Sequence, residues 1–256
     1  MNASPHLTAA LQAAEAAAEV IRCRYRHNLE VTLKADKSPV TEADVEAERA
    51  IRRVLEAQFP RYGFFGEETG SHDMTAEYVW LVDPLDGTKS FVREYPMFST
   101  QIALLHEGRI GLGVSSAPVY GETCWAERGH GAWMGKERLA VSSVATIEAA
   151  TLSSGNLRSL ARSAAWGRYG ALVGAVNRIR GYGDFLHYHL LAAGKIDAVI
   201  ESDVNILDIA ALSVIVEEAG GRLTDLGGSE VGFDTTTVLA SNGALHEPIL
   251  EALKYG

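Results

Sequence analysis

A chain of 256 residues is long enough for one large domain or two packed halves, and at that size it buries roughly 70–75% of its unfolded surface without staples. Its 47% hydrophobic content contains no run approaching the ~18–20 apolar residues of a membrane helix, so the composition is globular. A net charge of −10 argues against nucleic acid or an anionic membrane as the main partner, while a bound cation would still admit an anionic small substrate.

In MNASPHLTAALQAAEAAAEV, Glu15 and Glu19 interrupt what a signal peptide would keep apolar, so a helix of the mature protein and a cytoplasmic location are expected. Leu7, Leu11, Ala14, Ala18 and Ile21 recur at helical spacing over 7–27. Cys23 and Cys124, with no CxxC, read as free thiols of a reducing compartment. KADKS, residues 34–38, is charged and aperiodic, which suggests a mobile lid within 28–40. A second helix opens at TEAD, residues 41–44, runs through Val45, Ile51, Val54 and Leu55 to about Phe59, and stops at Pro60. YVWLVD reads as a buried strand, STQIALLHEGRIGLGVSSAP as two strands around Glu107-Gly108-Arg109, and VYGETCWAER as a third. Beyond about residue 150 come a helical stretch near 157–165 and a helix in GDFLHYHLLAAG opened by Asp184 and closed by Gly194. They are followed by a strand in KIDAVIES and an apolar helix in LDIAALSVIVEEAGG ending at Gly220-Gly221. No linker or repeat interrupts this mixture. A layered α/β architecture is expected, in two halves, 1–150 and 151–256, sharing one interface.

Four acidic features fall at element ends: Glu67-Glu68 after Gly66, Asp83 and Asp86 in DPLDGT, Asp208 in the first turn of the apolar helix, and Asp44 in PVTEAD. Each has a plain explanation alone. Asp44 suits the N3 position of a Thr41 capping box, and Asp83 and Asp86 suit a turn around Pro84 and Gly87. Glu67 and Glu68 read as a solvated pair, and Asp208 complements a helix dipole. Convergence would change the chemistry, because two carboxylates ~4 Å apart repel by about 4 kcal/mol at an effective dielectric near 20. Such a cluster must protonate or hold cations. Oxygen donors without Cys or a matching His select hard ions, Mg²⁺ first and Mn²⁺ next, and a centre with open positions suits phosphoryl chemistry.

In their order and spacing, GEE, VDPLDGT and LDIAA…EEAGG resemble the inositol monophosphatase family of Mg²⁺-dependent, Li⁺-sensitive phosphatases. The resemblance covers almost the whole chain and implies an αβαβα layered fold, shared with fructose-1,6-bisphosphatases, and a homodimer. It also implies that Glu67, Asp83 and the Leu85 carbonyl hold one metal and that Asp83, Asp86 and Asp208 hold a second, Asp83 bridging. A third, weaker ion would also use Glu67. Thr88 and Glu67 would orient and deprotonate the attacking water, with Asp44 hydrogen-bonded to Thr88. The N–H groups of Gly87 and Thr88, where a short helix is expected to start, would cradle the phosphate. No covalent phosphoenzyme is needed. Glu68 matches the family's second Glu and carries no catalytic role. Leu207 stands where the family usually has Trp, at a packing position.

The ester is harder to read. DGTKSF and RGYGDF resemble the histidinol-phosphatase branch, although adenosine bisphosphate phosphatases, often DGTKEF, stand close. Glu201 falls where the family places a ligand to a substrate hydroxyl. Histidinol carries an ammonium and an imidazole, which favour carboxylates, and Asp184 and Glu201 supply two; a plain N-cap is the other reading of Asp184. Neutral inositol would want hydroxyl-binding groups without excess charge, whereas Lys89 and Arg180 could serve a nucleotide. His187 and His189 do not share a helix face and are expected to be structural. Aromatic residues are not interleaved with a basic stripe, which speaks against a nucleic-acid surface. The expectation is a Mg²⁺-dependent phosphomonoesterase acting on a small ester. Histidinol phosphate is favoured over inositol 1-phosphate or adenosine 3′,5′-bisphosphate. An inactive binding protein of the same family would have lost Glu67, Asp83, Asp86, Thr88 or Asp208, and all are present.

Overall fold

Ser4 caps the first helix, α1 (Pro5–Arg24): its Oγ accepts the Leu7 N–H at 3.0 Å, and Pro5 sits where a missing N–H costs nothing. The computed structural model describes residues 3–27, 31–33 and 39–255. Two short strands, β1 (Val31–Leu33) and β2 (Pro39–Thr41), pair antiparallel; residues 34–38, the centre of the expected lid, lie outside the described residues, as do 28–30. Helix α2 (Glu42–Gln58) opens on the expected capping box of Thr41 and Asp44.

Next come β3 (Gly63–Gly66), β4 (Gly70–His72), β5 (Tyr78–Asp86) and the short helix α3 (Thr88–Val92). They are followed by β6 (Ser99–His106), β7 (Arg109–Ala117), β8 (Glu122–Glu127), β9 (Ala132–Met134) and β10 (Glu137–Arg138). Strands β3 to β10 form an eight-stranded sheet in the order β10-β9-β8-β7-β6-β5-β3-β4, in which only β3 and β5 run parallel. The chain continues through β11 (Thr151–Ser154), α4 (Arg158–Ala161), α5 (Trp166–Ala175), β12 (Arg178–Arg180) and α6 (Asp184–Ala192). It ends with β13 (Ala198–Ser202), α7 (Ile206–Glu218), β14 (Arg222–Thr224), β15 (Thr237–Ser241) and α8 (His246–Leu253). The second sheet is five-stranded, β12-β11-β13-β15-β14.

Alternation along β5 assigns its neighbours. Trp80 and Val82 enter the core beneath α1 and α2, whereas Val79 and Leu81 face α7. Helix α7 is apolar nearly all round because it is sandwiched: Leu207, Ala210 and Ala211 pack toward the first sheet, and Ile209, Leu212 and Val216 toward the second. Leu160, Tyr169, Leu172, Ile249 and Leu253 from α4, α5 and α8 cover the outer face of the second sheet. The layers run α1/α2, sheet, α6/α7, sheet, α4/α5/α8, which is the αβαβα order.

Two elements depart from the sequence reading. The helical stretch near 157–165 is the single turn of α4, and the longer α5 follows it, unforeseen because WGRYGALVGA holds three glycines. The strand in YVWLVD does not stop at Asp83. It continues to Asp86 through a register break, Asp83 opposite Gln101 but Asp86 opposite Ser99, which makes room for one extra residue. Pro84 has no N–H for the ladder, and its carbonyl instead accepts the Thr100 hydroxyl at 2.8 Å.

Candidate metal centre and active-site cleft

In a regular strand, residues 83 and 86 would point to opposite faces. The extra residue in β5 puts both aspartates on the side of α7, whose third residue is Asp208. Ligand oxygens of Asp83, Asp86 and Asp208 all lie within 4.8 Å of one another. Asp208 is also the N3 member of a capping box: its Oδ2 accepts the Asn205 N–H at 2.8 Å, and Oδ1 accepts Asn205 Nδ2 at 2.9 Å. The helix-terminus reading and the metal-ligand reading of this residue are compatible, since each carboxylate oxygen keeps a second lone pair.

Burial pushes the Asp83 carboxyl well up, and the charges of Glu67, Asp86 and Asp208 push it further, with a hydrogen bond to Glu67. Asp86 is raised in the same way, by burial first and then by Asp184, Asp208, Glu201 and Glu67. Asp208 is raised to about 7, chiefly by burial and against the Asn205 bonds. Without a cation these acids must share protons; a hard divalent ion neutralises their mutual repulsion and offsets the cost of burying the charges. The donor set therefore fits such an ion.

Asp44 shows the same double use. Its Oδ2 accepts the Thr41 N–H at 2.7 Å and the Thr41 hydroxyl at 2.6 Å, closing the cap of α2, while Oδ1 accepts the Thr88 hydroxyl at 2.9 Å. The Leu85 carbonyl lies 3.1 Å from the same Thr88 oxygen. A hydroxyl has one hydrogen, and here two acceptors compete for it, so toward the cleft Thr88 can only accept. Gly87 turns the chain into α3 with φ 93°, and a side chain there would run into the Met97 carbonyl at 2.4 Å.

Beside them opens a cleft of about 480 Å³ lined by Glu67, Asp86, Gly87, Thr88, Asp184 and Glu201 together with Lys89, Tyr95 and Asn156, and Asp208 lines a small adjoining cavity with Asp86, Asp184 and Glu201. Glu201 is held firmly. Its Oε2 accepts the Tyr188 hydroxyl at 3.0 Å and faces His187 Nε2 at 3.1 Å, and its Oε1 accepts the Asn156 N–H at 3.0 Å. His187 is fully buried and turns its Nδ1 toward Ser153 Oγ at 3.3 Å. His189 points elsewhere, to Ser115 Oγ at 2.8 Å, so the two histidines are structural but one of them backs the cleft. Asp184 does begin α6, with a left-handed φ of 45°, but no side-chain cap bond is made at this helix start, so capping does not account for its carboxylate. Its carboxyl is raised to about 6 by burial and by Glu201, against His187 and Lys89. Arg180, considered for a nucleotide, instead folds back on the Ile179 carbonyl at 2.7 Å and is absent from the cleft lining. The expected site residues thus converge. Sequence reading passed over Tyr188, whose only signal was its place between His187 and His189, and Asn156, which carried none.

An αβαβα fold with a carboxylate cluster at the end of a central strand supplies the oxygen donors that metal-dependent hydrolysis of phosphate monoesters needs. The chain belongs to the inositol monophosphatase family, whose model matches residues 2–255. It is 41% identical to the histidinol-phosphatase of Mycobacterium tuberculosis, over 98% of each chain. It is also 35% identical to the inositol-1-monophosphatase of Caulobacter vibrioides, over 88% of this chain and 91% of that one. Among solved structures, the extragenic suppressor protein suhB of Bartonella henselae superposes with a TM-score of 0.91 at 32% identity, covering 99% of this chain and 100% of that one. No helix among the described residues is long and apolar enough to cross a membrane.

Proposed function

We propose that this protein hydrolyses L-histidinol phosphate to L-histidinol and phosphate. The observation that carries the reading is the pair of carboxylates, Asp184 and Glu201, beside the acid cluster in one cleft. An alcohol bearing an ammonium gains there from two negative charges set against the one positive charge of Lys89 in the same lining, whereas neutral inositol adds no counter-charge. The similarity to the mycobacterial histidinol-phosphatase supports the same reading. The relative named for inositol 1-phosphate keeps that ester as the alternative, because the locked Glu201 also suits a hydroxyl donor.

Glu67, Asp83, the Leu85 carbonyl, Asp86 and Asp208 would hold two or three Mg²⁺ ions, or Mn²⁺ in their place. Bound there, the metal supplies a lowered water pKa and neutralises charge at the phosphate and the leaving alkoxide. Thr88, its hydrogen given to Asp44 or Leu85, accepts a hydrogen from the attacking water and so turns a lone pair of that water away from itself and toward phosphorus. Glu67 takes the second proton as the water oxygen bonds to phosphorus and the ester P–O bond breaks, and the departing alkoxide takes a proton from solvent water. The N–H groups of Gly87 and Thr88, in the cleft lining, would cradle the phosphate oxygens. Glu201 and Asp184 orient the alcohol, with Tyr188, His187 and Asn156 fixing the first of them. A homodimer, inhibition by Li⁺ and a cytoplasmic location belong to the same reading and rest on the family.

Phosphate release with Mg²⁺, compared among histidinol phosphate, inositol 1-phosphate, fructose 1,6-bisphosphate and adenosine 3′,5′-bisphosphate, tests the substrate. Histidinol phosphate should lead in kcat/KM. A lead of about tenfold or more by another ester, some 1.4 kcal/mol in transition-state stabilisation, overturns the assignment.

A further inference from the structure

Glu48 lies one turn beyond Asp44 on α2 and is fully buried, although a Glu in a charged amphipathic helix ordinarily faces water. Its carboxylate is committed to backbone. Oε2 accepts the Glu68 N–H and Oε1 the Thr69 N–H, both at 2.7 Å. The loop comes so close that a side chain at Gly66 would meet the Glu48 carboxylate at 2.6 Å. One more turn along the helix, Arg52 Nη1 reaches Thr69 Oγ1 at 3.4 Å. One face of α2 therefore grips both the segment that carries Thr88 and the segment that carries Glu67. Asp44 holds the Thr88 hydroxyl, and Glu48 holds the two amides that follow Glu67.

We infer that Glu48 is a positioning residue of the metal centre: it fixes the loop that carries Glu67 relative to Asp83 and to Thr88, acting through the backbone of Glu68 and Thr69. The physical requirement is specific. Two parallel N–H groups need two acceptor oxygens at fixed separation, which a carboxylate supplies and an amide cannot. In Glu48→Gln, one side-chain oxygen still accepts, but the side-chain NH₂ faces the other N–H. The loop must then move or leave a buried donor unpaired. Such a shift displaces Glu67 while leaving the apolar core of α2, built on Ala47, Ile51 and Leu55, untouched. The inference rests on the phosphomonoesterase reading through the role of Glu67, but it does not depend on which ester is cut.

The test is calorimetric titration of the folded protein with Mn²⁺ and Mg²⁺, wild type against Glu48→Gln, beside kcat and KM for the best ester of the panel. Affinity of the Glu67-containing site should weaken by about 10- to 100-fold, the range typical of residues that orient a metal ligand, with kcat falling and KM held. Unchanged affinity and kcat in a variant that merely melts earlier would make Glu48 structural only and overturn the inference. Hydrogen exchange on the wild type needs no variant. The amides of residues 68 and 69 should exchange as slowly as those of β5, and fast exchange would show that the clamp is not held in solution. If histidinol phosphate proves the wrong ester, both the titration and the exchange still report on Glu48.

Discussion

Replacing Asp44 by Asn separates its capping bonds from the catalytic role proposed for it. The carboxylate makes three hydrogen bonds, to the Thr41 N–H at 2.7 Å, the Thr41 hydroxyl at 2.6 Å and the Thr88 hydroxyl at 2.9 Å. An Asn has one acceptor oxygen, and the Thr41 N–H, which can only donate, takes it. The amide NH₂ is then left facing Thr88 Oγ1, where it donates. Thr88 loses its strongest acceptor, turns its hydrogen toward the Leu85 carbonyl or the cleft, and no longer presents a settled acceptor to the water. Burial already raises the Asp44 carboxyl against its Thr41 and Thr88 bonds, so losing the charge also removes a desolvation cost. The stability change should therefore stay near 1 kcal/mol, the net worth of one hydrogen bond. Misdirecting the nucleophile should lower kcat by about 10²-fold, the lower range for proton management, with KM little changed. Steady-state phosphate release and thermal melts of Asp44→Asn, Thr88→Val and the double variant decide the matter. The double variant should be about as slow as the slower single one, because both remove the same orientation. Variant Asp44→Asn with kcat per folded molecule within threefold of wild type, and only a lower Tm, would leave Asp44 a cap and refute the reasoning.

Asp184→Asn should raise KM for histidinol phosphate about tenfold while leaving inositol 1-phosphate within about twofold, since only the former carries an ammonium; an equal loss for both esters would make Asp184 merely structural. His246 provides a pH test of stability remote from the cleft. It is fully buried between Thr224 Oγ1 and Ser241 Oγ, each at 3.0 Å, and burial with nearby Arg222 lowers its pKa to about 4. The unfolded chain binds this proton near pH 6.5 and the folded one only near 4, so the contribution is present above 6.5 and is lost as pH falls through that window. It amounts to about 3 kcal/mol. Urea melts should show a steeper loss of stability between pH 6.5 and 4 in wild type than in His246→Gln; matching slopes would contradict it.

What could be read from the chain depended on whether the signal was local. The capping box at Thr41 and Asp44, the apolar strand before Asp83 and the all-round apolar α7 are local patterns, and the structure has them where periodicity placed them. Convergence of Asp83 and Asp86 was not local, because a strand of period two sends them to opposite faces and only the extra residue after Asp83 reunites them. The competing readings of Asp44 and Asp208, cap or site residue, were a false choice, since capping leaves acceptor capacity on each carboxylate. Glu48 stayed hidden for a different reason. Its position repeats the stripe of Asp44, Ile51 and Leu55, but a charged residue in a helix rich in surface Glu and Arg reads as solvated, and only the close approach of residues 66–69 shows what buries it. Helix α5 was obscured by Gly167, Gly170 and Gly174, and it is held by burying Tyr169 and Leu172 against the second sheet.

The central claim is that the acids gathered by the break in β5 form a metal centre that drives phosphate-ester hydrolysis. Hydrolysis of histidinol phosphate by wild type and Asp83→Asn, measured across a Mg²⁺ titration with the fold monitored in parallel, tests it most directly. The wild-type rate should rise from a metal-free baseline near zero to saturation, and the variant should stay folded and remain at least about 10³-fold slower at every Mg²⁺ concentration. Turnover that survives chelation, or a variant that saturates near the wild-type rate, would contradict the account.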